Sequence, residues 1–268
     1  DFSAIDAADV ATLLNRQHAG LVPVFTTRFR RETRRYQPRE GLSILMMIDT
    51  GTVSCTDANG VERSAPICEL ELELEEGRPA DLFVVASELA QTLPLMPADL
   101  SKAERGYNLF LDLPLQVVRA EVSNIRADDM VIDAFRKLAF SCVRQWQGNA
   151  SAALAEDDPH LMNPDFIHQL RVAQRRLRAL IKLFAPALPP DFAGGWNARL
   201  RENANRFGDA RDLDVFHTEL LKPVTPDELA DLATMSKLNS TVGKARETAR
   251  KHAVRNLDMA TQGRLLLD

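Results

Sequence analysis

Residues 69–75 read Glu-Leu-Glu-Leu-Glu-Leu-Glu. In an extended chain successive side chains point to opposite faces, so this run separates into two. Glu69, Glu71, Glu73 and Glu75 share one face, and Leu70, Leu72 and Leu74 make the other apolar enough to pack against a core. The alternation selects a strand. Carboxylates set side by side repel and raise one another's pKa unless solvent or a cation screens them. On this pattern alone two readings stay open. One is an amphipathic surface strand with a solvated acidic face. The other is a row that binds a hard, oxygen-preferring ion such as Mg²⁺ or Mn²⁺.

Working outward, Leu42 to Asp49 reads as an apolar strand ending at Asp49-Thr-Gly51, and Asp57-Ala-Asn-Gly60 as the turn before the acidic strand. Phe25 to Tyr36 mixes Thr, Phe and Arg in a manner that suits another strand. Its Arg28, Arg30, Arg31, Arg34 and Arg35 read either as a solvated basic edge that blunts strand pairing or, for Arg31 on the face of Phe29 and Thr33, as an inward cation. Ala4 to Asn15 has the apolar spacing of a short helix. Further on, Lys102 and Arg105 stand three apart, close enough to share a helical face and grip phosphate. Ser101 and Glu104 have capping-box spacing, so Ser101 reads as a helix cap and not as a nucleophile.

After Pro114 the period changes. Apolar positions three and four apart mark helices over Asp128 to Gln147, Pro164 to Phe184, Phe192 to Phe207, Ala210 to Leu221 and Pro226 to Asn256. Pro159, Pro189-Pro190, Gly194-Gly195 and Pro223 punctuate them. The fold class is therefore α+β, antiparallel strands followed by a helical bundle. We expect a strand-rich part at 1–112, a linker at 113–127 and a helical part at 128–268.

The most charged helix carries Arg171, Arg175, Arg178 and Lys182 at intervals of four, three and four, with His168 extending the stripe. Leu170, Leu177, Ile181 and Phe184 fall on another face. No acidic residue interrupts 168–184. Like charges at i,i+4 cost helix stability, so either carboxylates from other helices balance the stripe or an anion does.

Composition narrows the classes. The 268 residues are 45% hydrophobic with a formal net charge of −5, enough for a core and against a general nucleic-acid coat. Cys55, Cys68 and Cys142 form no C-x-x-C pair, as in a reducing compartment. No apolar run of about eighteen residues and no signal-peptide pattern occurs, so we expect a soluble, cytoplasmic protein without membrane association. His18, His160, His168, His217 and His252 lack metal-ligand spacing. No Ser-His-Asp or Cys-His arrangement and no glycine-rich phosphate loop appears. The start at Asp1 without Met reads as a fragment or processed product, and the oligomeric state, a homo-oligomer included, stays open.

Four blocks, Leu21 to Arg31, Ile48-Asp-Thr-Gly51, Pro66 to Leu74 and Ser101 to Tyr107, together resemble the later strands of a CYTH domain, the triphosphate tunnel family, and most closely the bacterial inorganic triphosphatases. The resemblance implies metal-dependent hydrolysis of inorganic triphosphate. Glu69 and Glu71 would bind Mg²⁺ or Mn²⁺ with Glu73 assisting, Asp49 would be a further inward acid, and Arg31, Lys102 and Arg105 would contact phosphate. The family's Glu-x-Glu-x-Lys first strand does not precede Leu21, and Leu45 stands where many relatives carry an acid.

His168-x-x-Arg-Val172, Arg175-Arg-Leu-Arg178 and Gly208-x-x-Arg-Asp-Leu-Asp-Val215 resemble a CHAD domain, a helical module whose basic groove binds inorganic polyphosphate, and cover its first half. The resemblance assigns His168, Arg171, Arg175, Arg178, Lys182, Arg206 and Arg211 to that groove, with Asp212 and Asp214 orienting arginines. A polyphosphate-binding or targeting protein without catalysis is the alternative function. Adenylate cyclase or thiamine triphosphatase activity is a third.

Overall fold

The computed structural model describes residues 6–17, 20–57, 59–156, 162–223 and 232–268, the side chains of Arg211 and Leu232 excepted. The chain divides into two compact units, Asp1–Leu82 with Asp99–Pro114, and Phe83–Ala98 with Leu115–Asp268.

In the first unit a helix, α1 (Ala8–Gln17), precedes three antiparallel strands in the order β1 (Thr26–Arg39), β2 (Leu42–Thr56) and β3 (Glu62–Glu76). Gly41 at φ 72° makes the first turn. The second is an Asx-type turn in which the Asp57 carboxylate accepts from the Asn59 and Val61 amides, each at 2.9 Å. Ala58 of that expected turn lies outside the described residues. Strand β2 does not stop at Gly51. A Cβ there would stand 2.1 Å from the Arg28 carbonyl oxygen, so Gly51 is a place where the paired backbone of β1 approaches closely, and β2 continues to Thr56.

The register sets the chemistry. Arg31 pairs with Asp49 and Asp49 with Glu69, so one rung of the sheet crosses all three strands with charged side chains on one face. That face is the covered one. Met47, Asp49, Val53 and Ile67 are buried, and helix α3 (Lys102–Phe110) lies over it. The leucine face, expected to meet a core, is covered in part: Ile44 on it is buried, Leu70, Leu72 and Leu74 are half-buried and Ile48 is 49% exposed. On the charged face α3 brings its own cations to the carboxylates. Its N-terminus is the capping box expected: Ser101 accepts from the Glu104 amide, and Glu104 accepts from that of Ser101. Gly106 permits the close approach, because a Cβ would sit 2.4 Å from the Phe25 ring.

Helix α2 (Pro79–Ala90) was not foreseen, its apolar residues being too evenly spread to show a face. The second unit continues with α4 (Val131–Leu154), α5 (Pro164–Leu183), a short 3₁₀ turn Ala185–Ala187, α6 (Pro190–Asn205), α7 (Gly208–Val215) running into a π turn Phe216–Leu221, α8 (Leu232–Asn256) and α9 (Met259–Leu267). Asn163 caps α5 and Pro164 opens it. The expected start of the last long helix at Pro226 lies outside the described residues. Phe135, Trp146, Phe166, Leu170, Leu177, Ile181, Leu200 and Phe207 form the core, with α4 on α5, α5 on α6 and α7 on α8. A buried polar set pins it. The Trp146 indole donates to Gln262 at 2.9 Å, and Gln262 and Asn203 pair through their amides at 3.0 and 3.2 Å. No described helix is long and apolar enough to cross a membrane.

Candidate functional site

Two clusters of the expected residues emerge, one in each unit. The first is on the covered face of the sheet. The Arg31 guanidinium donates through Nε to Asp49 Oδ1 at 2.7 Å and through Nη2 to Asp49 Oδ2 and Glu71 Oε2, both at 2.6 Å. From α3, the Lys102 ammonium reaches Glu71 Oε1 at 2.5 Å, Asp49 Oδ2 at 2.8 Å and Glu69 Oε1 at 3.2 Å. Arg105 donates to the same Glu69 oxygen. The Phe29 ring stands beside both cations, 5.1 Å from Lys102 and 5.7 Å from Arg31.

Three carboxylates therefore face three cations. Their electrostatics follow: the Arg31 hydrogen bonds, helped by Lys102, hold the Asp49 carboxyl well below the usual carboxylate range despite its burial. Burial pulls Lys102 down, yet its bonds to Asp49, Glu71 and Glu69 more than reverse this and raise it. Asp49 likewise raises Arg31.

Glu73, expected to assist, is exposed and makes no ion pair among the described residues. Glu75 belongs to a neighbouring contact, accepting from Arg35 at 2.7 and 2.8 Å and from the Ser43 hydroxyl at 2.7 Å. A bulge at the start of the β2–β3 pairing puts it there.

The donor chemistry of Asp49, Glu69 and Glu71 suits a hard divalent ion. Their arrangement does not. Five of the six oxygens accept from a side-chain cation. Among the described residues no three His, Cys, Asp or Glu side chains are placed to share a metal.

The second cluster is on α5. His168, Arg171, Arg175 and Arg178 line one cavity of about 380 Å³ with Asp212 of α7. Arg171 donates to the carbonyls of Phe207 and Gly208, at 2.8 and 2.9 Å, which ties the stripe to the turn before α7. Among the described residues no carboxylate pairs with Arg175, Arg178 or Lys182, and the Arg178 Nε is buried without a partner. Arg175, Arg178 and Lys182 are thus not paired as the cations of the sheet cluster are.

A CYTH domain model matches residues 2–107 and a CHAD domain model residues 137–268. The chain is a CYTH domain followed by a CHAD domain.

Within the CHAD domain two expected groove residues go elsewhere. Lys182 is exposed at the far end of α5 and does not line the cavity. Arg206 lines a separate cavity of about 300 Å³ with Arg199 and Arg264, because it follows the last turn of α6 and faces α9. The Arg211 side chain lies outside the described residues. Sequence reasoning missed Arg246 and Arg250 of α8, which donate to Asp214 at 2.9 and 2.8 Å. Their i,i+4 spacing was the available signal.

Proposed function

We propose that this chain binds inorganic polyphosphate along the α5 stripe of its CHAD domain, with residues 128–268 as the binding part. One observation supports this above the rest: Arg175 and Arg178 sit in a shared cavity with His168 and Arg171, and no described carboxylate forms an ion pair with either. Guanidinium groups held in no ion pair are the electrostatic complement of a regularly charged polyanion, and their forks match phosphate oxygens. The test is retention of polyphosphate by the full chain and by the Arg175→Ala, Arg178→Ala variant. Loss of retention in the variant supports the reading. Equal retention ends it.

A second reading, metal-dependent hydrolysis of inorganic triphosphate with Mg²⁺ or Mn²⁺, is favoured by the convergence of Arg31, Lys102 and Arg105 with Asp49, Glu69 and Glu71 in the CYTH domain. Under it, residues 1–112 carry the reaction and 113–127 link it to the CHAD part. Phosphate release from tripolyphosphate, with Mg²⁺ and then with EDTA, decides it. Metal-dependent release that disappears in Glu71→Gln supports hydrolysis. Absence of release leaves polyanion binding alone.

A further inference from the structure

A further group of cations, used by neither of the sites above, lies in the second unit. Residues 115–126 form neither helix nor strand, yet this stretch is fastened at both ends. At one end the Asn149 side chain accepts from the Val118 amide at 3.2 Å and donates to the Val118 carbonyl at 2.8 Å. Gly148 lets the segment lie against α4, since a Cβ there would meet the Val118 side chain at 2.7 Å. At the other end Asp129 accepts from the Arg126 amide at 2.9 Å and, through each of its oxygens, from Lys137 Nζ at 2.7 Å. Between these two ties a cavity of about 490 Å³ lies between 121–126 and the exposed side of α4.

Its wall is unevenly neutralised. Lys137 is held by Asp129. Arg144 has only Glu121, at 3.6 Å, and both of those side chains are more than half exposed. Arg126 forms no ion pair among the described residues. Two hydroxyls are also unused: the Ser123 and Ser141 oxygens are buried and make no hydrogen bond, although both serines line the cavity. Buried hydroxyls ordinarily find partners, and rotation about χ1 carries a serine hydroxyl between three staggered positions. Phe140 lines the same cavity and is 64% exposed, a large apolar ring left in water beside the cations.

We propose that this cavity is a binding site for a small aromatic phosphate monoester, with Arg126 and Arg144 on the phosphate and Phe140 on the ring. Donor count and charge favour phosphate over carboxylate. Two guanidiniums and two hydroxyls match three terminal oxygens bearing close to two charges better than two oxygens bearing one. The phosphate takes Arg144 from Glu121 at small cost, because exposed ion pairs are weak. The cavity shares no lining residue with that of the α5 stripe, so the two sites are separate.

Calorimetry on the full chain tests this with phenyl phosphate, inorganic phosphate and benzoate as probes. An Arg175→Ala, Arg178→Ala background removes the α5 stripe as a competing anion site and serves as the parent. Phenyl phosphate should bind that parent about threefold or more tightly than inorganic phosphate, because the ring adds a contact, and than benzoate, which carries less charge. Arg126→Ala should weaken phenyl phosphate binding about tenfold, and Phe140→Ala about threefold. Phe140→Ala should leave the affinity for inorganic phosphate as it was. Both side chains are exposed, so neither change reaches the core. Absence of phenyl phosphate binding by the parent at millimolar probe overturns the proposal, as does parental affinity in Arg126→Ala or in Phe140→Ala. Equal affinity for phenyl phosphate and either of the other probes overturns it too.

Discussion

The Arg31 guanidinium donates to both oxygens of Asp49, at 2.7 and 2.6 Å, while solvent reaches none of the Asp49 side chain and more than a third of that of Arg31. The carboxylate is the anchored partner and the arginine the movable one. Adjacent strands hold the two in register, so the pair forms with the sheet. This fixes the direction of several effects.

Asp49→Ala should destabilise the strand-bearing unit by about 2–3 kcal/mol, below the range for a wholly buried pair because Arg31 can recover water. Urea unfolding followed through that unit's transition measures it. Asp49→Leu should cost less, since its bulk refills the space.

The pH dependence has a defined sign. Asp49 binds its proton less readily in the folded chain than in the unfolded one, mainly through the Arg31 hydrogen bonds. Its contribution is therefore complete above the ordinary carboxylate pKa of about 4 and is lost as pH falls further. Unfolding at pH 7 and pH 3 should show the parent losing more stability between the two than Asp49→Asn does.

Gln174 is the opposite case. Its side chain is fully buried on α5 and neither its amide nitrogen nor its oxygen has a partner. An unmet buried amide costs about 1–3 kcal/mol. Gln174→Leu should raise the stability of the helical unit by about 1–2 kcal/mol, read as a higher melting temperature. No gain would mean that the amide is satisfied in solution.

Polyphosphate binding should weaken linearly in log affinity against log salt. Each of Arg175→Ala and Arg178→Ala should flatten that slope by roughly 0.7, as for removal of one contact to a flexible polyanion. Arg206→Ala should leave it unchanged, because Arg206 lines a different cavity. A titration series over several salt concentrations separates these outcomes.

The fold was legible where one period dominated. The Glu-Leu alternation of β3, the capping box at Ser101 and the 3.6-residue spacing of α5 each named their element. Strand β2 was read short, since Gly51 looks like a terminator in sequence and is a point of close approach to β1 in space. Most residues of the sheet cluster were also legible, as Arg31, Asp49, Glu69, Glu71, Lys102 and Arg105 do meet. What no local pattern contained was their mutual pairing, because it depends on α3 approaching from far along the chain. The same holds for Arg246 and Arg250 on Asp214. A stripe on one helix is visible in sequence, and contacts from another helix are not.

The rung formed by Arg31, Asp49 and Glu69 has one more consequence. Its order is counted in residues, so it is protected against change of identity and defenceless against change of length. A single residue inserted in β2 between Gly41 and Asp49 would slip Asp49 by one position against Arg31, and one inserted between Asp49 and Asp57 would slip it against Glu69, in either case putting the pair on opposite faces. Additions beyond Asp57, in the turn before β3, fall outside the paired rows. Variation in length should therefore be confined to the turns, and the spacing from β1 to β3 within each strand works as a ruler for the charges.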